Sequence, residues 1–322
     1  MPAFWSNDPL RFGVELPLTA LFHPLGYPVR LATNSPDVLL AAEESWCGFP
    51  QFFSALPISL RVSVEDDGSV ECASTMMIRG QRHLLSMVSD LKNSAILDCS
   101  RRSVYCSVTE ATARNRPWFR YFYLDTIVNL MLWRTHLTRI HAGCAALDDQ
   151  GILLCGASGA GKSCLTYACA RRGWTLISDE APSIVRRTEE RIVIGKPQTI
   201  HLRDGAFELF PELLRREVKR NPVGKLCIEV RTAEMPGLRT AYRCNIAALV
   251  FLNRVNGAGS ELVPFSKEEA WRRLAADLPY FGGAAHKEHK ASLRNMLSAG
   301  VFELQYSEPD SAVAELERLV RQ

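Results

Sequence analysis

The sequence predicts an α/β fold, a mixed sheet with helices on its faces, preceded by a small α+β region. Three observations carry this. From "RIHAGCAAL" onward, apolar strand-like runs alternate with helix-length amphipathic stretches. A glycine-rich loop, residues 156–163, lies between one of those strands and a helix start. Before residue 116 the pattern differs, with short strand-like runs separated by turn signals and one helical stretch. The expected division is therefore residues 1–115, an α+β region in which no catalytic constellation is visible, and residues 116–322, one domain.

In the first region "PISLRVSV", "VECASTMMI" and "HLLSMVS" read as strands, with a turn at "EDDG". "SPDVLLAAEESW" reads as a helix opened by Ser35 or Asp37 as cap. Pro117 opens a long amphipathic helix running to about Thr135. "RIHAGCAAL" and "GILLC" then read as strands joined at "DDQG", followed by the loop and a short helix, "KSCLTYACARRG", stopped by Gly173. "WTLISDE" is the next strand and "SIVRRTEERIVIG" a hairpin. Further strands are expected at "KLCIEV", "IAALVFL" and "VFELQY", and helices at "SKEEAWRRLAADL", "KEHKASLRNMLSA" and "DSAVAELERLV".

The loop "GASGAGKS" fits G-x-x-x-x-G-K-[ST]. Glycines let the backbone curl closely enough to aim several N–H groups at one anion, and the following helix adds the positive end of its dipole. Gly156, Ser158, Gly159, Ala160 and Gly161 form that cradle, with Cys164 at its helical end. Lys162 is placed to reach the β- and γ-phosphates of ATP, and the Ser163 hydroxyl to ligate Mg2+. Asp179 and Glu180 end the next strand. A right-handed crossover between adjacent parallel strands would bring them beside the loop. One carboxylate there can hold Mg2+ while the other accepts a proton from an attacking hydroxyl, and the two roles can be exchanged. His141 lies on the strand leading into the loop strand, where it could orient a phosphate oxygen or move a proton.

The stretch "RIHAGCAALDDQGILLCGASGAGKSCLTYACARRGWTLISDEAPSI" resembles the catalytic core of HPr kinase/phosphorylase and its looser relatives. His141, the loop residues Gly156, Ser158, Gly159, Gly161, Lys162 and Ser163, then Arg172 with Gly173, then Asp179 with Glu180 follow that family's order. The resemblance implies a phosphoenolpyruvate-carboxykinase-like nucleotide-binding fold, ATP with Mg2+, and phosphate transfer to a serine of a partner protein or peptide. It makes Asp179 the base, and Ser163 or Glu180 the Mg2+ ligand. The family's second acid is usually Asp, and "TAEMPG" replaces its glycine-rich segment after "IEVR". Hence a divergent relative is expected rather than the enzyme proper. The related kinases form oligomers, so a homo-oligomer is expected as well. A metabolite kinase and a non-catalytic ATP-binding protein remain the alternatives.

Other residues are weaker candidates. Arg203 and Lys225 lie where phosphate or substrate contacts would fall, and "RREVKR" reads as a solvated helix face. His286 and His289 are three apart but lack a Cys or third His nearby, so a metal site is not expected. A formal net charge of +3 over 322 residues gives no reason to expect nucleic acid. The longest apolar stretch, "YFYLDTIVNLMLWRTHLTRI", is broken by Asp125, Asn129 and Arg134, so no membrane span is expected. Ten scattered cysteines without a leader-like start suggest reduced thiols and a cytoplasmic protein.

Overall fold

Asp148 and Asp149 both adopt positive φ, 48° and 65°, and the right-handed twist of the flanking strands demands such a turn. They close a hairpin of Ala142–Leu147 and Gln150–Cys155, the seed of the sheet that carries the glycine-rich loop. The computed structural model describes residues 13–66, 68, 70–73, 75–257 and 259–321. It divides into two units, 1–135 and 136–322.

The first unit contains a seven-stranded sheet in the order Leu18–Phe22, Val29–Thr33, Ile58–Glu65, Ser103–Thr109, Ser94–Asp98, Leu84–Val88, Met77–Gln81. Ile58, Leu60 and Val62 are buried while Ser59 and Arg61 are exposed, the period-two signature of a sheet covered on one face. Of "VECASTMMI" the strand Met77–Gln81 takes in the last two residues, and residue 74 lies outside the described residues. Ser35 caps the helix Pro36–Trp46 by position, without a side-chain hydrogen bond. The stretch expected as one helix from Pro117 is helical over 116–135, but residues 120–125 take π-helical form. It belongs to the first unit, so the boundary falls at 135/136 and not at 115/116. The Trp46 indole donates to Asp125 at 3.0 Å, and Arg116 and Arg120 pair with Glu44 at 2.9 and 3.0 Å.

The second unit is mixed α/β. Its main sheet runs Arg239–Thr240, Thr175–Ser178, Ala142–Leu147, Gln150–Cys155, Arg243–Arg254. The first part of Arg243–Arg254 continues antiparallel to Ile192–Ile194, and its later part pairs parallel with Gly300–Tyr306. Along "GILLC" the side chains alternate between two cores. Ile152 and Leu154 pack with Leu165, Trp174, Val250 and Leu316, while Leu153 and Cys155 pack with Leu249, Leu293 and Met296. A strand buried on both faces reads as a continuous apolar run, and this one does. The helices Lys162–Arg171 and Pro309–Arg321 cover one face; Lys267–Ala276 and Gly283–Met296 cover the other.

The segment read as a helix face at 215–220 is not helical. Val218–Arg220 is an edge strand on Leu226–Arg231, and Thr199–Leu202 completes that three-stranded sheet. All residues of 215–220 but Val218 are charged, so the run carries no period that could separate strand from helix.

Candidate active site

The Thr175–Ser178 and Gln150–Cys155 strands are parallel but not adjacent, contrary to the expected arrangement. Ala142–Leu147 lies between them, antiparallel to both. The consequence for the site is the same. Antiparallel insertion brings the start of the middle strand to the carboxyl ends of its neighbours. Ala142 stands opposite Cys155 and Cys144 opposite Ser178, so His141, Gly156 and Asp179 all emerge at one sheet edge. His141 itself lies just ahead of that strand, between it and Leu137–Arg139. The Ile140 N–H donates to the Pro182 carbonyl at 3.1 Å, which ties the chain at His141 to the acidic turn.

The loop presents an array of amide donors. Gly161 caps the helix Lys162–Arg171, and the first loop-to-helix bond runs from the Leu165 N–H to the Gly161 carbonyl at 2.8 Å. Among the described residues the N–H groups of Gly161, Lys162, Ser163 and Cys164 therefore have no backbone acceptor, as at any helix start. Ser158 and Gly159 N–H add to them. Gly161 has φ 93°, and a Cβ there would overlap the Tyr306 hydroxyl, so only glycine fits. That hydroxyl donates to the Ala160 carbonyl at 2.9 Å and fastens the loop to the end of Gly300–Tyr306.

Lys162 is buried, with 7% of its surface exposed, and burial lowers its pKa. Its ammonium donates to the carbonyls of Gly156 and Ala157 at 2.8 and 3.0 Å. One of its three donors is left for an incoming anion. Arg203 donates to the Ser158 hydroxyl at 3.1 Å.

Asp179 is 5% exposed, and desolvation raises its pKa to about 6. Its Oδ2 accepts the His201 backbone N–H at 2.7 Å, with the His201 ring Nδ1 3.9 Å away. One carboxylate oxygen is thus held by the Thr199–Leu202 strand. The Ser163 hydroxyl faces the Asp179 backbone carbonyl at 3.5 Å. Burial, then the charges of Lys162 and Arg139, lower the pKa of His141, so the imidazole is neutral at pH 7.

These groups share one pocket of about 420 Å3. Its wall includes His141, Ser158, Gly159, Gly161, Lys162, Ser163, Cys164, Asp179 and Glu180 from the expected set, and both Arg203 and Lys225. Gly156 and Ala160 are not in the wall; they pack against each other within the loop, where a Cβ on Gly156 would meet that of Ala160 at 2.9 Å. Sequence reasoning missed His201, Arg254 and Tyr306, which also line it. No spacing rule signals them, because each comes from a strand outside the 156–180 stretch. His286 and His289 are elsewhere: His289 is fully buried, its Nδ1 2.8 Å from the Thr138 hydroxyl.

The donor set fits a polyphosphate with a divalent cation. Unpaired amides, a buried ammonium and the arginine on the loop are complementary to phosphate oxygens. Ser163, Glu180 and the free Asp179 oxygen are hard ligands of the type Mg2+ takes alongside water and phosphate. Among the described residues no group of three or more His, Cys, Asp and Glu side chains could hold a metal ion unaided.

No protein-family model and no curated protein matches the chain. Among solved structures it is similar to the HPr(Ser) kinase/phosphatase from Coxiella burnetii, with a TM-score of 0.32 and 15% identity, over 57% of this chain and 93% of that one. Among the described residues no helix is long and apolar enough to cross a membrane.

Proposed function

We propose that the 136–322 unit is an ATP-dependent kinase that transfers the terminal phosphate to an alcohol hydroxyl, that of a serine on a partner protein or peptide. The observation that supports this most is the buried Asp179 carboxyl at the same sheet edge as the unpaired loop amides. Phosphoryl transfer asks a protein for placement and charge neutralisation rather than covalent help. The loop amides and Lys162 hold the phosphate oxygens. Ser163 and Glu180 would hold Mg2+, which when bound would supply charge neutralisation at the phosphates. The free oxygen of Asp179 takes the proton of the acceptor hydroxyl as its oxygen bonds to the terminal phosphorus. The bond from that phosphorus to the bridging oxygen breaks, and ADP leaves with the electron pair. A carboxyl of pKa about 6 is ionised at pH 7 yet basic enough to receive that proton. Neutral His141 lies at the same edge and can hydrogen-bond a phosphate oxygen without adding charge.

The test is transfer from γ-labelled ATP to the proteins and small molecules of a cell extract, comparing the parent with Asp179→Asn. Label on a polypeptide serine, lost in the variant, is the expected result. Label on a small compound would assign a metabolite acceptor, and ATP bound with no labelled product would assign a binding protein.

A further inference from the structure

The sheet order gives the loop two chemically different flanks. On one side stand Ala142–Leu147 and Thr175–Ser178, which bring His141, Asp179 and Glu180 to the edge. On the other stand Arg243–Arg254 and Gly300–Tyr306, which bring Arg254 and Tyr306. Cys155 pairs with Phe251, so Arg254 extends three residues past the last pair of the loop strand, to the level of the loop itself. At roughly 3.3 Å per residue that is about 10 Å. Arg254 is the register partner of Tyr306, the residue fastened to the Ala160 carbonyl. Its guanidinium lines the pocket, and among the described residues no carboxylate is within ion-pair distance of it.

Beyond Tyr306 a second cavity, about 710 Å3, opens beside the first. Glu208, Leu209, Ser307 and Pro309 line both. Its wall adds Glu308 and Asp310, and among the described residues its one arginine, Arg171, is already paired with Glu212 at 2.9 Å. Such a wall repels phosphate but accepts hydroxyl donors, as a ribose offers.

We propose that the nucleotide lies across the loop with a fixed polarity, its nucleoside in the cavity beyond Tyr306, its inner phosphates on Arg254 and its terminal phosphate at Asp179. The inference rests on the kinase reading. If the transferred group must reach the acidic flank, the rest of a phosphate chain held by the loop extends to the opposite one. There Arg254 offers a planar fork that matches two phosphate oxygens.

Two measurements test this. Arg254→Gln should weaken Mg·ADP and Mg·ATP alike, by about tenfold or more for a lost charge-assisted contact. Loss for ATP alone, or for neither, overturns it, and Arg254→Lys should recover part of the loss. Photolabelling of the whole chain with 8-azido-ATP and Mg2+ should mark that cavity's wall, at 208–210 or 307–311, with protection by ATP. Protected label on 139–141, 179–182 or any segment outside that wall refutes the polarity while leaving the kinase reading intact. Absence of ATP-protected label together with absence of calorimetric ATP binding refutes the reading itself, and the polarity with it.

Discussion

The Asp179 carboxylate accepts the backbone N–H of His201 at 2.7 Å, so one of its oxygens is fixed by a neighbouring sheet and the other is left for chemistry. That division defines what the residue can do. A buried carboxyl held by backbone donors keeps its orientation, while desolvation keeps it basic.

Asp179→Asn preserves the shape and the acceptor for His201 but removes the base. Turnover should fall by about 10²–10⁴, the usual worth of general-base catalysis, with Mg·ATP affinity within about threefold of the parent. Steady-state transfer and calorimetry on the same preparation check both halves.

The same carboxyl sets two pH dependences. Only the ionised form accepts a proton, so the rate should rise with pH through about 6 and then level off. For stability the sign is opposite. The folded-state pKa is raised from 3.8 to about 6, so the folded protein binds the proton more tightly than the unfolded chain. This group's contribution is then complete below about 4 and lost as pH rises through about 6. At pH 7.5 Asp179→Asn should be more stable than the parent by about 1–3 kcal/mol, and the gap should narrow at pH 4.5. Urea unfolding at the two pH values measures it. A gap that widens at low pH would contradict the buried-acid assignment.

Gly161→Ala meets two obstacles, a φ of 93° and the Tyr306 hydroxyl. The backbone term alone costs about 1–2 kcal/mol. The loop should shift, and Mg·ATP affinity should fall at least tenfold. Adding Tyr306→Phe removes the overlap together with the hydroxyl's hydrogen bond to the Ala160 carbonyl, so measured against Tyr306→Phe alone the double variant should show a smaller loss than Gly161→Ala shows against the parent, but not none. Calorimetry on the single and double variants separates the two terms.

His289 serves the core. It is fully buried on the helix Gly283–Met296, and the Thr138 hydroxyl lies 2.8 Å from both the imidazole Nδ1 and the Ser292 hydroxyl. His289→Ala should lower the melting temperature by several degrees, through a cavity and a broken polar network. Added Zn2+ should leave the parent's melting temperature unchanged, since the imidazole is fully buried.

Much of this site is legible in the sequence because its parts are local. Loop, helix start and acidic turn lie within 156–180, and their spacing alone brings them near one another. What escaped is non-local. The strand between Gln150–Cys155 and Thr175–Ser178 reverses the expected adjacency, yet "RIHAGCAAL" carries no sign of its place in the sheet order. Arg254 and Tyr306 meet only through a parallel pairing across about 50 residues. The helix at 116–135 is evident from its period, but its attachment to the first unit depends on partners such as Trp46 and Glu44, far upstream. The basic run at 215–220 is too short for either period to declare itself.

The central claim is that the loop amides and Lys162 hold the phosphates of ATP. Calorimetric titration of the full chain with Mg·ATP, beside Lys162→Ala, addresses it most directly. Saturable binding by the parent is predicted, weakened in the variant by about 2–3 kcal/mol, as expected for a lost charge-assisted contact. Equal affinity in both proteins, or no heat of binding in the parent, would contradict it.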